Sequence, residues 1–229
     1  MKAVILAAGR GKRMMPLTAD TPKPLLKVAG KALLDHTLSL LPEDISEVII
    51  VVHYLGDQIV SHMKAHHPNL SVKIVWQEEC NGTGKALELA KPHLIGEKFI
   101  VIFSDDLHSR EAVLRAAGHD LAIIAKEAEH PERFGVISLD ERGYLREIVE
   151  KPEKPETNLV NVGVRVLDDR IFKYQATQHA NGEYYDVDMI NQLAKDAPVA
   201  VVKTDFWMPI GYPEDLKKAE LELEKRGVL

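Results

Sequence analysis

Hydrophobic residues in this chain fall in short unbroken runs rather than in long amphipathic stripes. Five runs, at 2–7, 47–52, 72–76, 99–103 and 121–125, are rich in valine and isoleucine and are predicted strands. Stretches at 33–41, 56–65, 85–91 and 110–117 carry apolar residues at helical spacing and are predicted helices. Continuous apolar strands separated by helices predict a mostly parallel sheet covered on both faces. The pattern then changes. Segments 136–139, 144–150 and 160–166 read as strands with no helix between them. Helices at 170–176 and 188–195, a strand at 199–204 and a closing helix at 213–225 complete the reading, with Pro213 suited to a first helical turn. The predicted class is α/β: a three-layer α/β/α, Rossmann-like, mostly parallel sheet with a second, strand-rich lobe.

Composition narrows this picture only modestly. At 229 residues the chain is expected to form one domain, with halves at about 1–118 and 119–229. The formal net charge of −6 gives no general electrostatic case for binding nucleic acid or an anionic membrane, so neither is expected as a partner. Cys80 is the only cysteine, which rules out an intrachain disulfide and fits a reducing, cytoplasmic setting. The N-terminal apolar run is short and leads into charge, so it reads as a strand and not as a signal peptide. No run approaches the roughly 20 apolar residues that span a bilayer.

The candidate chemistry is concentrated near the N-terminus. Val4, Ile5 and Leu6 lead into a loop holding Gly9 and Gly11, studded with Arg10, Lys12, Arg13 and Lys23 and stiffened by Pro16, Pro22 and Pro24. Glycines let backbone N–H groups approach phosphate oxygens, and fixed cations neutralise them. Two common phosphate loops do not fit. A dinucleotide fingerprint would need a third glycine at Met14. A P-loop ending at Gly84-Lys85 would need glycine at Glu79 and serine or threonine at Ala86.

The segment does resemble another family. Leu6-Ala7-Ala8-Gly9-Arg10-Gly11-Lys12-Arg13-Met14, Pro16-Leu17-Thr18 and Pro22-Lys23-Pro24-Leu25 together match the signature of the sugar-1-phosphate nucleotidylyltransferases. Later pieces extend the resemblance along the chain: Gly82-Thr83-Gly84, Asp105 at a strand end, Phe134-Gly135-Val136, Glu150-Lys151-Pro152, Asn161-Val162-Gly163 and the run from Ile210 to Leu216. The resemblance implies transfer of a nucleotidyl group from a nucleoside triphosphate to a sugar-1-phosphate, with Mg²⁺ as cofactor. It implies Arg13 and Lys23 as catalytic cations on the phosphates and Asp105 as a metal ligand. The nucleotide would be held by Leu6, Ala8, Gly9, Gly11, Gln77, Gly82 and Thr83, with Trp76 beside the base. Gly135, Glu150, Lys151 and Asn161 would take the sugar phosphate. The two halves of the chain would thus serve the nucleotide and the sugar phosphate respectively. Many family members append a further domain, and this chain reads as the catalytic module alone.

Chemistry of the side chains supports some of these roles independently. An arginine fork can bind phosphate oxygens bidentately, and the Gln77 amide can pair with the imide edge of uracil or thymine, so UTP or dTTP is favoured. Arg10 and Lys12 by default are a solvated loop surface, Asp106 a cap or turn residue, and Glu150-Lys151 in isolation an exposed ion pair. The ten histidines show no metal-ligand spacing. One departure stands out: Pro209 occupies the position where relatives carry a second, metal-binding aspartate. Metal would then be held by Asp105 with substrate phosphates and water, or by Asp106 or, less simply, Asp205. Three other readings stay open: a GTP-using mannose-1-phosphate guanylyltransferase, a cytidylyltransferase, and a non-catalytic nucleotide-sugar sensor.

Overall fold

The computed structural model describes residues 1–227. In chain order the strands and helices are β1 (Lys2–Ala7), β2 (Lys27–Val28), β3 (Lys31–Ala32), α1 (Leu33–Leu38), β4 (Val48–Val52), α2 (Gly56–His66), β5 (Val72–Trp76), α3 (Thr83–Ala90), β6 (Lys98–Phe103), β7 (Asp106–His108), α4 (Arg110–Ala117), β8 (Ala122–Glu127), β9 (Gly135–Leu139), β10 (Leu145–Glu150), β11 (Leu159–Asp168), α5 (Asp186–Asp196), β12 (Ala200–Lys203), β13 (Trp207–Pro209) and α6 (Pro213–Lys225). Strands β6, β1, β4 and β5 lie side by side and parallel. This is the α/β sheet the apolar runs predicted.

The ten-residue β11 joins the two halves of the chain. One edge of β11 pairs antiparallel with β8, which in turn pairs parallel with β12. Its other edge pairs antiparallel with β6 over Val164–Asp168 and then, at Val160, with β9 of the β9–β10 hairpin. The strand-rich second half therefore extends the same sheet. Between the β6 and β9 pairings, residues 161–163 of β11 have no partner on that edge, and the sheet forks there.

Both faces of the sheet are covered, because consecutive residues of each central strand point to opposite sides. Val4 and Leu6 pack with α3 and α5 residues such as Leu87, Ile190 and Leu193 on one face. Ala3, Ile5 and Ala7 pack with Leu34, Ile59, Met63 and Val113 from α1, α2 and α4 on the other. A third cluster of Met14, Leu26, Val28, Leu33, Leu107, Ile210, Ala219 and Leu223 lies under α6. It anchors both ends of the glycine-rich segment.

Several predicted bounds shift. The expected helix at 170–176 is a 3₁₀ turn, Asp169–Lys173, followed by a loop. α1 stops at Leu38, and α5 begins at Asp186, two residues early. The prolines do exclude an early α-helix: only short 3₁₀ turns, Lys12–Met14 and Lys23–Leu25, occur before Leu33. No helix among the described residues is long and apolar enough to cross a membrane.

Candidate active site

The carboxyl ends of β1, β5 and β6 converge on two adjoining cavities. The first, about 420 Å³, is lined by Leu6, Ala8, Gly9, Gly11, Gln77, Gly82 and Thr83 among others. The second, about 690 Å³, is lined by Gly135, Glu150, Lys151 and Asn161 and lies at the fork in the sheet. Arg13, Lys23 and Asp105 line both. The residues the resemblance implies for nucleotide, sugar phosphate and metal border one of these two spaces, except Trp76 and the alternative ligand Asp205. Both cavities also draw on the two halves of the chain, the first with Glu183, Tyr185 and Gly211 and the second with Thr83, Phe103 and Asp106.

The glycine-rich loop is held open from outside. Thr18 Oγ1 donates to Gly11 O at 2.9 Å, and Tyr54 Oη donates to Thr18 O and Ala19 O at 3.1 and 2.8 Å. Met14, 1% exposed, pins the far end into the α6 cluster. Among the described hydrogen bonds, the N–H groups of Gly9, Arg10 and Gly11 donate to no protein acceptor. They remain free for an anion.

The cations differ in how they are held. Lys23 is buried, presented by the Pro22-Lys23-Pro24 turn, and its Nζ reaches Asp105 Oδ2 at 2.6 Å. Arg13 is exposed, makes no ion pair among the described residues, and lies 5.4 Å from the Tyr212 ring centroid. Gly211 and Tyr212, beside it, are fixed by Asp215 Oδ2, which accepts from both backbone N–H groups at 3.0 and 2.9 Å. Lys12 also lines the first cavity, so the structure moves it from the solvated loop surface to the candidate site. Arg10 lies outside that cavity, beside a shallower one with His53, Glu78 and Glu79.

At the base end, Gln77 is 4% exposed and its Nε2 donates to Asn81 Oδ1 at 2.9 Å. Strand alternation sends Trp76 to the opposite face, where its ring packs on Gly56, so it does not line the cavity as expected. Gly82 borders the cavity, yet its lack of a side chain serves another contact. Its φ is +109°, and a Cβ there would sit 2.2 Å from Tyr184 O. The neighbouring Tyr184 N and O bond Asn81 O and Gly84 N, stitching the 174–185 loop to the start of α3.

The second cavity has a buried polar floor. Arg165 Nε lies 2.7 Å from Asp186 Oδ2, both side chains being 1% exposed. Asp186 Oδ1 accepts from Thr83 Oγ1 at 2.6 Å, and the guanidinium carbon lies 4.8 Å from the Phe103 ring centroid. The Nε contact is an ion pair without hydrogen-bond alignment, and Arg165 Nη1 has no partner among the described residues. Glu150 lies against Gly135, where a Cβ would come within 2.8 Å of Glu150 Oε1. Burial raises the Glu150 pKa, and the nearby Arg165 charge opposes that rise. Lys151 adopts a left-handed backbone, φ +45°, at the end of β10. Sequence reasoning missed Arg165 and assigned Asp186 nothing. An arginine inside the apolar strand 160–166 was the available signal.

Around Pro209 the expected substitutes separate clearly. β13 pairs antiparallel with β7, setting Pro209 opposite Asp106. Asp106 is therefore neither a helix cap nor a turn residue; Ser109 caps α4, its hydroxyl accepting from Ala112 N at 3.3 Å. Asp106 Oδ2 accepts from Trp207 Nε1 at 2.9 Å and Oδ1 from Ile210 N at 3.1 Å, fastening the hairpin. Loss of water around it, with the Asp105 charge second, raises its pKa to about 7. Asp205 borders neither cavity and pairs instead with Arg226 at 3.6 Å.

A sheet of this topology, with a glycine-rich phosphate cradle at the end of its first strand, defines an α/β nucleotide-binding protein. Residues 2–226 match the sequence model of the Nucleotidyl transferase family, and the chain belongs to that family. It is 35% identical over 226 residues to the bifunctional protein GlmU of Methanocaldococcus jannaschii, covering 96% of this chain and 53% of that protein. It is 32% identical over 240 residues to the UTP–glucose-1-phosphate uridylyltransferase AglF of Haloferax volcanii, covering 98% and 97% of the two. A solved structure assigned to a glucose-1-phosphate thymidylyltransferase of Bacillus anthracis, in complex with sucrose, superposes with a TM-score of 0.85 at 26% identity, covering 97% of this chain and 94% of that one. The chain spans about half the length of the GlmU relatives it matches.

Proposed function

We propose that the protein is a sugar-1-phosphate nucleotidylyltransferase acting on a pyrimidine nucleoside triphosphate, UTP or dTTP. The observation that carries this reading is the meeting of two cavities at Arg13, Lys23 and Asp105. One has a cradle of free N–H groups; the other has a carboxylate, an ammonium and an amide suited to a sugar phosphate. A triphosphate in the first cavity presents its α-phosphorus at the junction. A sugar-1-phosphate in the second directs a phosphate oxygen at it. That oxygen forms the new P–O bond as the bond to the β-phosphate oxygen breaks, giving nucleotide-sugar and pyrophosphate. The phosphate is already anionic, so the attack needs no general base.

The chain's contribution is positioning and charge neutralisation. Arg13, which pairs with no carboxylate among the described residues, can grip the phosphates as negative charge shifts toward the leaving pyrophosphate. Lys23 is fixed in place before substrate arrives. Gln77 Oε1 can accept the N3–H of a pyrimidine while its NH₂ is held by Asn81. Glu150 can accept from two sugar hydroxyls, and Lys151 can bind the sugar phosphate.

The donor set fits Mg²⁺. Asp105 is a half-exposed carboxylate at the junction, and Mg²⁺ is commonly held by one or two carboxylates with substrate phosphates and waters. Asp105 would hold it; both Asp106 oxygens already accept hydrogen bonds. Bound there, the ion would neutralise phosphate charge. The test is a panel of UTP, dTTP, CTP and GTP against several hexose-1-phosphates, read as pyrophosphate release. UTP or dTTP should be used best. Efficient use of GTP with poor use of both would overturn the assignment of Gln77.

A further inference from the structure

Well away from these cavities, two histidines and an aspartate converge between α1 and the end of α2. His62 Nε2 lies 2.7 Å from Asp35 Oδ1, and His67 Nε2 lies 2.8 Å from the same oxygen. The three donor atoms fall within 4.8 Å of one another. Their side chains are only 17% (Asp35), 15% (His62) and 27% (His67) exposed. His67 reaches the cluster because α2 ends at His66 and the backbone turns away from helical geometry, φ −129° and ψ 48°. Positions 62 and 67 therefore do not show the four-residue helical spacing of a ligand pair. The histidines show no metal-ligand spacing along the sequence, and it is the tertiary structure that brings these two together.

We propose that Asp35, His62 and His67 bind a transition-metal ion of the Zn²⁺ class, separate from the Mg²⁺ invoked above. Two imidazole nitrogens and one carboxylate oxygen suit zinc, cobalt or nickel, whereas Mg²⁺ prefers oxygen. Bonds of about 2.0–2.2 Å in a tetrahedral site put donor atoms roughly 3.3 Å apart. Opening the present contacts by about half an ångström reaches that spacing. Each imidazole needs only to carry its proton on Nδ1, so the ligands stay neutral. Water would complete the coordination.

The ion would clamp the C-terminus of α2 to α1. α1 in turn backs the turn carrying Lys23, with Leu33 N donating to Leu26 O at 3.0 Å and His36 Nε2 bonding Val28 O at 3.0 Å. The site is thus structural, bracing the catalytic loop from behind.

The test uses untagged full-length protein stripped with chelator and titrated with ZnCl₂ or CoCl₂ by calorimetry, visible absorption and thermal melting. One equivalent should bind, Co²⁺ should give a tetrahedral spectrum, and melting should rise with Zn²⁺ but not with equimolar Mg²⁺. His62→Ala and His67→Gln, each checked for folding by circular dichroism, should lose affinity at least about tenfold while binding nucleotide as the parent does. Absence of any metal-dependent shift in the parent, or equal Zn²⁺ affinity in both folded variants, would reduce the cluster to a hydrogen-bonded contact and overturn the proposal.

Discussion

At the scale of single residues, the two cations at the cavity junction have different local roles. Lys23 is buried and paired with Asp105, whereas Arg13 is exposed and unpaired among the described residues. Arg13→Ala should therefore fold normally and lose on the order of 10² in kcat, the cost of removing one preorganised charge-stabilising donor; steady-state kinetics with circular dichroism check both halves. Glu150 makes a contrasting case. Its folded-state pKa is raised above the ordinary 4.5, chiefly by burial, so the ionised form costs stability. That cost is absent below pH 4.5, grows as pH rises through the folded pKa, and is full above it. Glu150→Gln should melt higher than the parent at neutral pH, with the difference vanishing toward acid, while its KM for sugar phosphate rises. A pH series of melting curves checks the sign. The residues with spaced motif partners were legible in the sequence. Arg165 was not, because a charge in an apolar run gives no sign that Asp186 lies across from it. The close approach of Tyr184 to Gly82 was not legible either, since the two lie far apart in the chain.

Among the elements, long apolar strands were legible and short ones were not. β1, β4 and β6 lie close to where the hydrophobic runs placed them, because strands buried on both faces need unbroken apolar sequence, and the half-exposed edge strand β5 was legible from its β-branched residues. β7 and β13 are three residues each and carry a mixed pattern, so periodicity could not find them. Yet their pairing decides what Pro209 can do. The proline sits opposite Asp106 on the wall of the second cavity. Pro209→Asp should lower the Mg²⁺ concentration needed for half-maximal rate by several-fold, with little change in KM for the nucleotide. An unchanged Mg²⁺ dependence would mean that position 209 lies out of reach of the ion. The predicted helix at 170–176 does begin with a cap, Asp168 Oδ1 accepting from Arg170 N, but runs only from Asp169 to Lys173 as a 3₁₀ turn.

On the scale of the whole molecule, the fork in β11 is what joins the two ligand spaces. β6 delivers Ser104 and Asp105 to one side of the fork, and the β9–β10 hairpin delivers Gly135 and Glu150 to the other. Ser104 Oγ ties the end of β6 to Leu6 O at 3.0 Å, linking the strand end that carries Asp105 to the strand that leads into the glycine loop. The separation of the lining residues implies separable binding. Lys151→Ala should weaken sugar phosphate roughly tenfold or more and spare nucleotide, and Gln77→Ala should do the reverse, because each removes a hydrogen bond to one ligand only. Calorimetry with each ligand alone would reveal equal losses if the division were wrong. The fork was not legible in the sequence, since it depends on β11 changing partners midway along one edge.

The most direct measurement of the central claim is pyrophosphate release with both substrates present, either one omitted, and Mg²⁺ varied over a wide range. The account requires release only when a pyrimidine triphosphate and a hexose-1-phosphate are both supplied with Mg²⁺, and near-complete loss in Arg13→Ala. Tight binding of nucleotide-sugar with no turnover for any pair at any Mg²⁺ concentration would contradict it and make the protein a sensor that retains the fold without the reaction.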